Sequence, residues 1–484
     1  ATWYLEDGDI TVIANENGQS VKQGSNSAVA DSDTVITQRD SEKATDNTIT
    51  VSTTDDTTAN ITIEDVNINS YGDAIDVGSS GANITLEGDN KLNSEYGSGL
   101  HVSDGDVTIT GSGSLEAGSK NDSNNNAAIG SHENEAMSGD ITIGGDAQVT
   151  AVSRDDGAGI GSGDMGEMSG DITIGDNAQV TAWSETGGAG IGSGRESNMS
   201  GNITIGGSAQ VTAGSNSETA GIGSGNNGVF TSTGRVVIRD SAKVTAIGEN
   251  EGAGIGTGED ELMAGMIIIQ DNAQVTAIAG DRAAAIGSDN LDEMTGTIII
   301  IGNARVTTGI LDDDVYFDYN TKEIKYTLDE NATGYIGDSK YSNHESDEGH
   351  YIIGPDVTIN GISGSDIEAL KDYINMRLSG ENHDGEPENL TKLDVRSENG
   401  EFTVTAEGEG AVEKILYGGS ENVPTAPGTY PVTCVVRIGE ETIEFQIDTY
   451  VVPEPAPQPE PMAHHTRIQL YRVADKQGRS IAYK

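Results

Sequence analysis

Three sets of residues in this sequence are of types that could do chemistry: carboxylates at recurring positions, a group of tyrosines, and a glycine-rich heptapeptide that recurs. Asn60, Asn83, Asp106, Asp140, Asp171 and Asn202 each precede a short run of the Ile-Thr-Ile kind. If those runs stack, Asp106, Asp140 and Asp171 become like charges one strand apart, which repel unless solvent screens them or a cation bridges them. The plainer reading is a set of solvated turn residues, since Asp and Asn are ordinary turn formers. Tyr316, Phe317, Tyr319, Tyr326, Tyr335, Tyr341 and Tyr351 crowd one segment of a chain whose aromatic content is only 4%. Tyrosine presents an apolar ring with a polar tip, which suits a sugar face. Tyr316, Tyr319, Tyr326, Tyr335 and Tyr341 are therefore candidate carbohydrate contacts. Trp183 is a lesser one, because its counterparts in other repeats are Val152, Gly214, Ile247 and Ile278. The competing account is that these tyrosines pack one end of the fold.

The heptapeptide Gly157-Ala158-Gly159-Ile160-Gly161-Ser162-Gly163 superficially resembles a dinucleotide-binding loop. It recurs in consecutive repeats and no amphipathic helix follows it, so the strand-loop-helix context of such a site is missing. Tight turning of the chain explains the glycines better. Catalytic constellations are equally weak. The seven histidines are His101, His132, His344, His350, His383, His464 and His465, and none repeats or lies in a His-Glu-x-x-His motif. Carboxylates are too abundant for any pair to be singled out as a glycosidase dyad. Arg154, Arg195, Arg235, Arg239 and Arg282 occupy different turn positions, so none stands out as a lyase base. The reading is a binding protein rather than an enzyme, with a polysaccharide lyase or glycosidase as the lesser alternative.

The elements that must position these residues follow from an internal repeat. Ile141-Thr142-Ile143, Ala147-Gln148-Val149-Thr150-Ala151 and the glycine-rich heptapeptide return as Ile172-Thr173-Ile174, Ala178-Gln179-Val180-Thr181-Ala182 and Gly188 to Gly194. The valine recurs at Val149, Val180, Val211, Val244, Val275 and Val306, in steps of 31, 31, 33, 31 and 31. Upstream, Asn60-Ile61-Thr62-Ile63, Asn83-Ile84-Thr85-Leu86 and Asp106-Val107-Thr108-Ile109 lie 23 apart. Each unit holds three short period-2 segments and no helical periodicity. Such a unit cannot bury its apolar face alone, but stacked copies can, Ile over Ile and Val over Val. The expected fold class is all-β, a right-handed parallel β-helix. About eleven coils at roughly 4.8 Å each give a rod of roughly 50 Å. Asp9-Ile10-Thr11-Val12 is expected to start the coiling and Asp356-Val357-Thr358-Ile359 to finish it. Met137, Met168, Met199, Phe230, Met263 and Met294 keep the same register and read as apolar filler.

The expected organisation is an N-terminal strand or cap over 1–45, the β-helix over 46–362, and a capping helix and linker over 363–385. A β domain over 386–452, a Pro-rich linker over 453–462 and the start of a further, truncated domain over 463–484 follow. The helix is predicted from the capping-box pattern at Ser365-Asp366-Ile367-Glu368 and the apolar stripe Ile367, Leu370, Tyr373, Ile374 and Leu378. The chain begins at Ala1, which a removed signal peptide or trimming would explain, and the last 23 residues are too few to fold alone, which suggests a piece of a longer surface protein. Lys plus Arg is 26 and Asp plus Glu is 79, giving a formal charge of −53. That balance disfavours nucleic acid and anionic lipid surfaces as partners, and no apolar run is long enough for membrane insertion. It suits a secreted, extracellular chain at the bacterial cell surface that acts as a monomeric rod and holds divalent cations. The lone Cys434 cannot form an intrachain disulfide and reads as a buried thiol.

Two stretches resemble known families. Asn60 to Asp65, Ser70-Tyr71-Gly72-Asp73-Ala74-Ile75 and Asp104 to Thr110 are similar to the clostridial-type β-helix carbohydrate-binding proteins, which are polysaccharide-lyase-like but non-catalytic. The resemblance covers about 70 residues well. It implies cellulosic or pectic ligands and Ca2+ in the fold, with Asp73, Asp76, Asp104 and Asp106 as metal candidates. The acidic column adds Asp140 and Asp171. Pro427-Gly428-Thr429-Tyr430-Pro431-Val432-Thr433 resembles the Gly-Thr-Tyr strand of bacterial immunoglobulin-like domains, which implies a small β-sandwich after the helix. The expected function is binding of a plant polysaccharide or host glycan without cleavage. The alternative is a structural stalk or adhesin that presents another domain.

Overall fold

The computed structural model describes residues 1–54, 57–121, 123–259, 262–289, 294–313, 315–337, 349–370, 373–374, 390–398, 401–408, 410–453, 473–474 and 480–481. Over the repeat region each turn of the chain adds one strand to each of three sheets, in parallel, which is a β-helix. Among the described residues the first sheet has fourteen strands, the second eleven and the third thirteen.

The stacking follows the sequence register. In the first sheet Ile61, Ile84, Ile109, Ile143, Ile174, Ile205, Ile238, Ile269, Ile300 and Ile353 form one column, each paired with the next. All ten are buried, so the expected column at Ile143, Ile174 and Ile205 lies inside. In the second sheet Leu115, Val149, Val180, Val211, Val244, Val275 and Val306 do the same. Each fully buried Ile or Val contributes about 1.5–3 kcal/mol. Met137, Met168, Met199, Phe230, Met263 and Met294 are bridged in sequence and fully buried. They fill the corner before the first sheet, as their register suggested.

In the third sheet Ile160, Ile191 and Ile222 stack, each followed by a glycine. Gly161, Gly192 and Gly223 have φ of 142°, 141° and 140°. A Cβ on Gly192 would lie 1.8 Å from the carbonyl oxygen of Gly223. Both backbone conformation and the next coil therefore exclude any side chain, and the heptapeptide is a corner, not a ligand loop.

Two short segments fall elsewhere than the sequence register suggested. Ile10-Thr11-Val12 pairs with Ile49-Thr50-Val51 in the third sheet, while coiling begins with Thr2–Tyr4 in the first. Thr358-Ile359 pairs with Arg305-Val306 in the second sheet, and the last first-sheet coil strand is His350–Ile353. An apolar-Thr-apolar triplet fits any of the three faces, and only its place in the winding decides which one.

Chain segments cover parts of both coil ends. Gly18–Gln23 runs antiparallel to Ile10–Asn15, and Val29–Ala30 runs antiparallel to Gly18–Gln23, so the N-terminal edge of the third sheet ends in a hairpin rather than a parallel strand. At the far end, among the described residues, the predicted helix covers one turn, Ile367–Leu370, and Tyr373 and Ile374 are not helical. Its cap is Asp366, whose Oδ1 accepts the Ala369 amide at 3.2 Å, rather than Ser365. Leu370 and Ile374 are buried in the rod core, and Ile374 bridges to Ile336. Leu378 and most of the expected linker lie outside the described residues, as do 454–472.

The rod also has two apolar outer faces, and later parts of the chain cover both. Along the first sheet the outward position reads Thr142, Thr173, Thr204, then Val237, Ile268, Ile299 and Ile352. Leu390–Glu398 joins this sheet in parallel beside His350–Ile353, and Glu401–Gly408 returns antiparallel. Gly410–Tyr417, Gly428–Ile438 and Glu441–Val452 form a three-stranded antiparallel sheet. Its Val432, Cys434, Val436 and Phe445 pack into one core with Ile268, Ile299, Ile352 and Leu393. The expected boundary at 386 is thus not a break between cores, because the rod itself supplies the opposite layer. Cys434 is buried there, as expected, and burial pushes its thiol up to about 12.

Along the second sheet the outward column is Val152, Trp183, Gly214, Ile247 and Ile278. A hairpin of Tyr316–Asp318 and Glu323–Lys325 lies over it. Val315, Phe317 and Ile324 bury themselves against Val152, Trp183, Ile247 and Ile278. At the hairpin tip Lys322 Nζ donates to Glu116 Oε1 at 2.6 Å, six strands back along the sheet from Arg305–Ile310.

Candidate functional site

Among the described residues, the acidic column is tied together by hydrogen bonds from coil to coil. Asp106 Oδ1 accepts the Asp140 amide at 3.0 Å, and Asp140 Oδ1 accepts the Asp171 amide at 2.8 Å. Asp171 Oδ1 in turn accepts the Asn202 amide at 2.9 Å and the Asn202 side-chain amide at 2.8 Å. Each carboxylate satisfies the first N–H of the next coil, so the column is a capping ladder along the rod surface.

The other metal candidates converge on two histidines. Asp76 sits in Ile75–Gly78 and His101 in Leu100–Val102, paired in register on consecutive coils of the third sheet. They occupy the column that becomes Gly130, Gly161 and Gly192 further along. His132 and Glu135 follow Ile129–Gly130 on the next coil, and Asp73 lies in the turn before Ile75. The two imidazole rings stack with centroids 3.7 Å apart and planes 2° from parallel. Asp73 stands at one end of the stack, with Oδ1 2.8 Å from His132 Nε2 and Oδ2 3.9 Å from His101 Nδ1. Asp76 Oδ1 is 2.9 Å from His101 Nδ1. At the other end Glu135 Oε2 is 2.7 Å from His101 Nε2 and 3.7 Å from His132 Nδ1.

Both ring nitrogens of His101 thus face carboxylate oxygens at hydrogen-bonding distance, which a neutral imidazole can satisfy with only one N–H. Burial opposes the charged ring, but the hydrogen bonds to Asp76 and Glu135 and the charges of Asp73 and Glu135 outweigh it. The His101 pKa rises to about 9. Burial alone would raise the Asp73 pKa. The hydrogen bond and charge of His132, the Ser98 amide at 2.7 Å and the His101 charge together bring it below the usual carboxylate range. A Cβ on Gly97 would lie 2.4 Å from Asp73 Oδ1, so glycine at that position leaves room for this carboxylate.

A cleft of about 390 Å³ opens beside the cluster, lined by Asp76, Ser80, His101, Ser103, Asp104 and Glu135. Asp104 accepts the Ser138 hydroxyl at 2.6 Å. On the Asp73 side lie Tyr71 and Tyr96, 72% and 51% exposed, from adjacent coils, their rings 4.8 Å apart and tilted by 47°. The structure therefore brings Asp73 and Asp76 to the histidine pair, places Asp104 on the cleft beside Asp76 and His101, and leaves Asp106, Asp140 and Asp171 on the ladder.

The aromatic candidates divide as well. Trp183 is 1% exposed beneath the hairpin, which rules it out as a surface sugar contact in this conformation. Its column was apolar because a later segment covers it. Phe317 and Tyr351 are also buried. Tyr316, Tyr319 and Tyr326 lie on the outside of the hairpin segment, where the Arg154 guanidinium stands 4.5 Å from the centre of the Tyr319 ring and the Tyr319 hydroxyl donates to Glu185. Tyr335 is half-buried, and Tyr341 lies outside the described residues.

Sequence reasoning missed the histidine pair and the Tyr71–Tyr96 pair. The histidines do not recur through the repeat, and they lie on consecutive coils, His132 two residues beyond Gly130, which pairs with His101. Each takes the place of a later glycine, His101 that of Gly130 and His132 that of Gly163. Those departures from the repeat were the available signal. No protein-family profile, no curated sequence and no solved structure matches the chain. Among the described residues, no helix is long and apolar enough to cross a membrane.

Proposed function

We propose that this is a secreted cell-surface protein that holds a polysaccharide, without cleaving it, on the flank of its N-terminal coils. The observation that carries this reading is the exposed pair Tyr71 and Tyr96 on neighbouring coils, and the same coils carry a polar cleft lined by Asp76, His101, Asp104 and Glu135. Two tyrosine rings on neighbouring coils offer an apolar platform to a sugar face, and the cleft offers hydrogen-bond partners to its hydroxyls. A rigid rod presents both without an ordering cost on binding. The resemblance of Asn60 to Thr110 to β-helix carbohydrate-binding proteins points to the same coils. Tyr316 and Tyr326 on the outer hairpin form a second, separate contact. In this reading the coils are right-handed, the hand that right-twisted strands favour in parallel crossovers. The C-terminal strands are an immunoglobulin-like arrangement opened against the rod, and the protein acts as one copy.

A glycan array and affinity retention on insoluble plant polysaccharides test the reading. The parent is expected to be retained, and Tyr71→Ala with Tyr96→Ala is expected to lose at least tenfold in retention. Both residues are exposed, so stability should change by no more than about 0.5 kcal/mol. Retention unaffected by this double substitution, or release of reducing ends from the bound polymer, contradicts it. A parent that retains no glycan favours the stalk reading instead. That reading draws its own support from the C-terminal sheet, which is packed on the rod and would hold a following domain at a fixed angle.

A further inference from the structure

We propose that Asp73, His101 and His132 bind a divalent transition ion of the zinc class. Imidazole nitrogen with carboxylate oxygen is a donor set that Zn2+ takes readily, whereas Ca2+ requires six to eight oxygens. Here Asp73, Asp76 and Glu135 each turn a carboxylate oxygen to an imidazole nitrogen, so the cluster fits the calcium expected from the family resemblance poorly. One ligand atom from each of Asp73, His101 and His132 lies within 4.8 Å of the other two.

The surroundings add two features of a working metal site. Glu135 Oε2 accepts from His101 Nε2 at 2.7 Å, which leaves Nδ1, on the Asp73 side, as the ligating atom once the ion displaces the proton that Nδ1 shares with Asp76. A carboxylate on the far nitrogen fixes the tautomer of a metal-binding histidine in this way. The cleft beside the ring leaves a route for the ion and a position for water. Asp76 Oδ1, 2.9 Å from the same Nδ1, is placed to supply a fourth ligand.

The parallel rings set a condition. Their in-plane lone pairs point the same way from parallel rings whose centroids are 3.7 Å apart and do not meet on one ion. His101, with its side chain 9% exposed, is held at both nitrogens, whereas that of His132 is 32% exposed at the rim. Binding therefore turns His132 out of the stack while His101 stays, and that cost keeps the affinity moderate.

The test is calorimetric titration of ZnCl2 and CaCl2 into the chelator-treated full chain, with melting curves and imidazole NMR signals. His464→Gln and His465→Gln are introduced first to remove the adjacent histidine pair near the C-terminus. The expected result is one saturable zinc site, a higher melting temperature with zinc, and movement of two imidazole signals. H132Q and D73N should each weaken zinc at least tenfold, while D140N on the capping ladder leaves it unchanged. His132 is partly exposed, so H132Q is expected to fold even if His101→Ala does not. Absence of saturable zinc binding, or zinc binding unaltered by both H132Q and D73N, overturns the proposal. So does a calcium response of equal size that H132Q removes.

Discussion

The coils around Ile75 to Glu135 and those from Ile141 to Ile205 share one winding but differ in how they use it. In the second group nearly every position of the repeat answers to packing or capping. Isoleucine, valine and alanine point inward, Gly161 and Gly192 turn the corner, and Asp140 and Asp171 cap the next strand. In the first group the corner column carries Asp76 and His101 instead of glycine, and neither has a positive φ. Relaxing the corner lets side chains stand where backbone otherwise fills the space. Uniformity in a solenoid marks structure, and departures from it mark chemistry. The same lesson applies outside the rod, where outward positions turn from Thr204 to Val237 and Ile268 because another sheet lies over them.

The strongest way to break the comparison is to place a charge in the uniform core. Ile174 is fully buried between Ile143 and Ile205. Ile174→Asp buries an unpaired carboxylate and is expected to cost about 5 kcal/mol or more, unfolding several coils together. A thermal melt read by circular dichroism that stays within a degree of the parent would contradict the column as the source of stability.

A second test separates the rod from the sheet laid over it. Phe445 is 1% exposed in the core shared by the C-terminal strands and the outer face at Ile268, Ile299 and Ile352. Phe445→Ala is expected to cost about 3–5 kcal/mol there. Hydrogen exchange should quicken in Gly428–Ile438 and Glu441–Val452 and stay slow at Ile141–Ile143. Equal acceleration in both places would mean that the two layers unfold as one.

The smallest effect sharpens the comparison by finding a polar exception inside the uniform coils. Asp164 is 4% exposed, and its Oδ1 has no hydrogen-bond partner among the described residues. Burial, then the charge of Asp156, raises its pKa to about 6 against the pull of Arg195. A carboxyl with a raised folded-state pKa costs nothing below about pH 3.8, and its penalty grows to full size as pH rises through 6. Asp164→Asn should therefore stabilise the protein by about 1–3 kcal/mol at pH 7 and leave it unchanged near pH 3.5. Denaturant midpoints at the two pH values decide it, and a gain of the same size at both would show that charge is not the cause.

Much of this molecule was written in the order of its residues. The 31-residue step, the inward Ile and Val columns, the Met137 to Met294 ladder and the buried Cys434 all follow from local pattern plus the need of a short strand unit to stack. Sequence could not assign Ile10-Thr11-Val12 or Thr358-Ile359 to a sheet, because a triplet carries no mark of which face it joins. Nor could it show that Trp183 and Ile299 face other parts of the chain, since an outward apolar residue reads the same whether water or a later strand meets it. The candidate site was half legible. Asp73, Asp76 and Asp104 were found as acidic residues, but His101, His132 and Glu135 became their neighbours only through winding. Residues 25 to 59 positions apart in the chain touch in space. A solenoid fixes that distance by coil length and corner geometry together, and only the folded chain sets both.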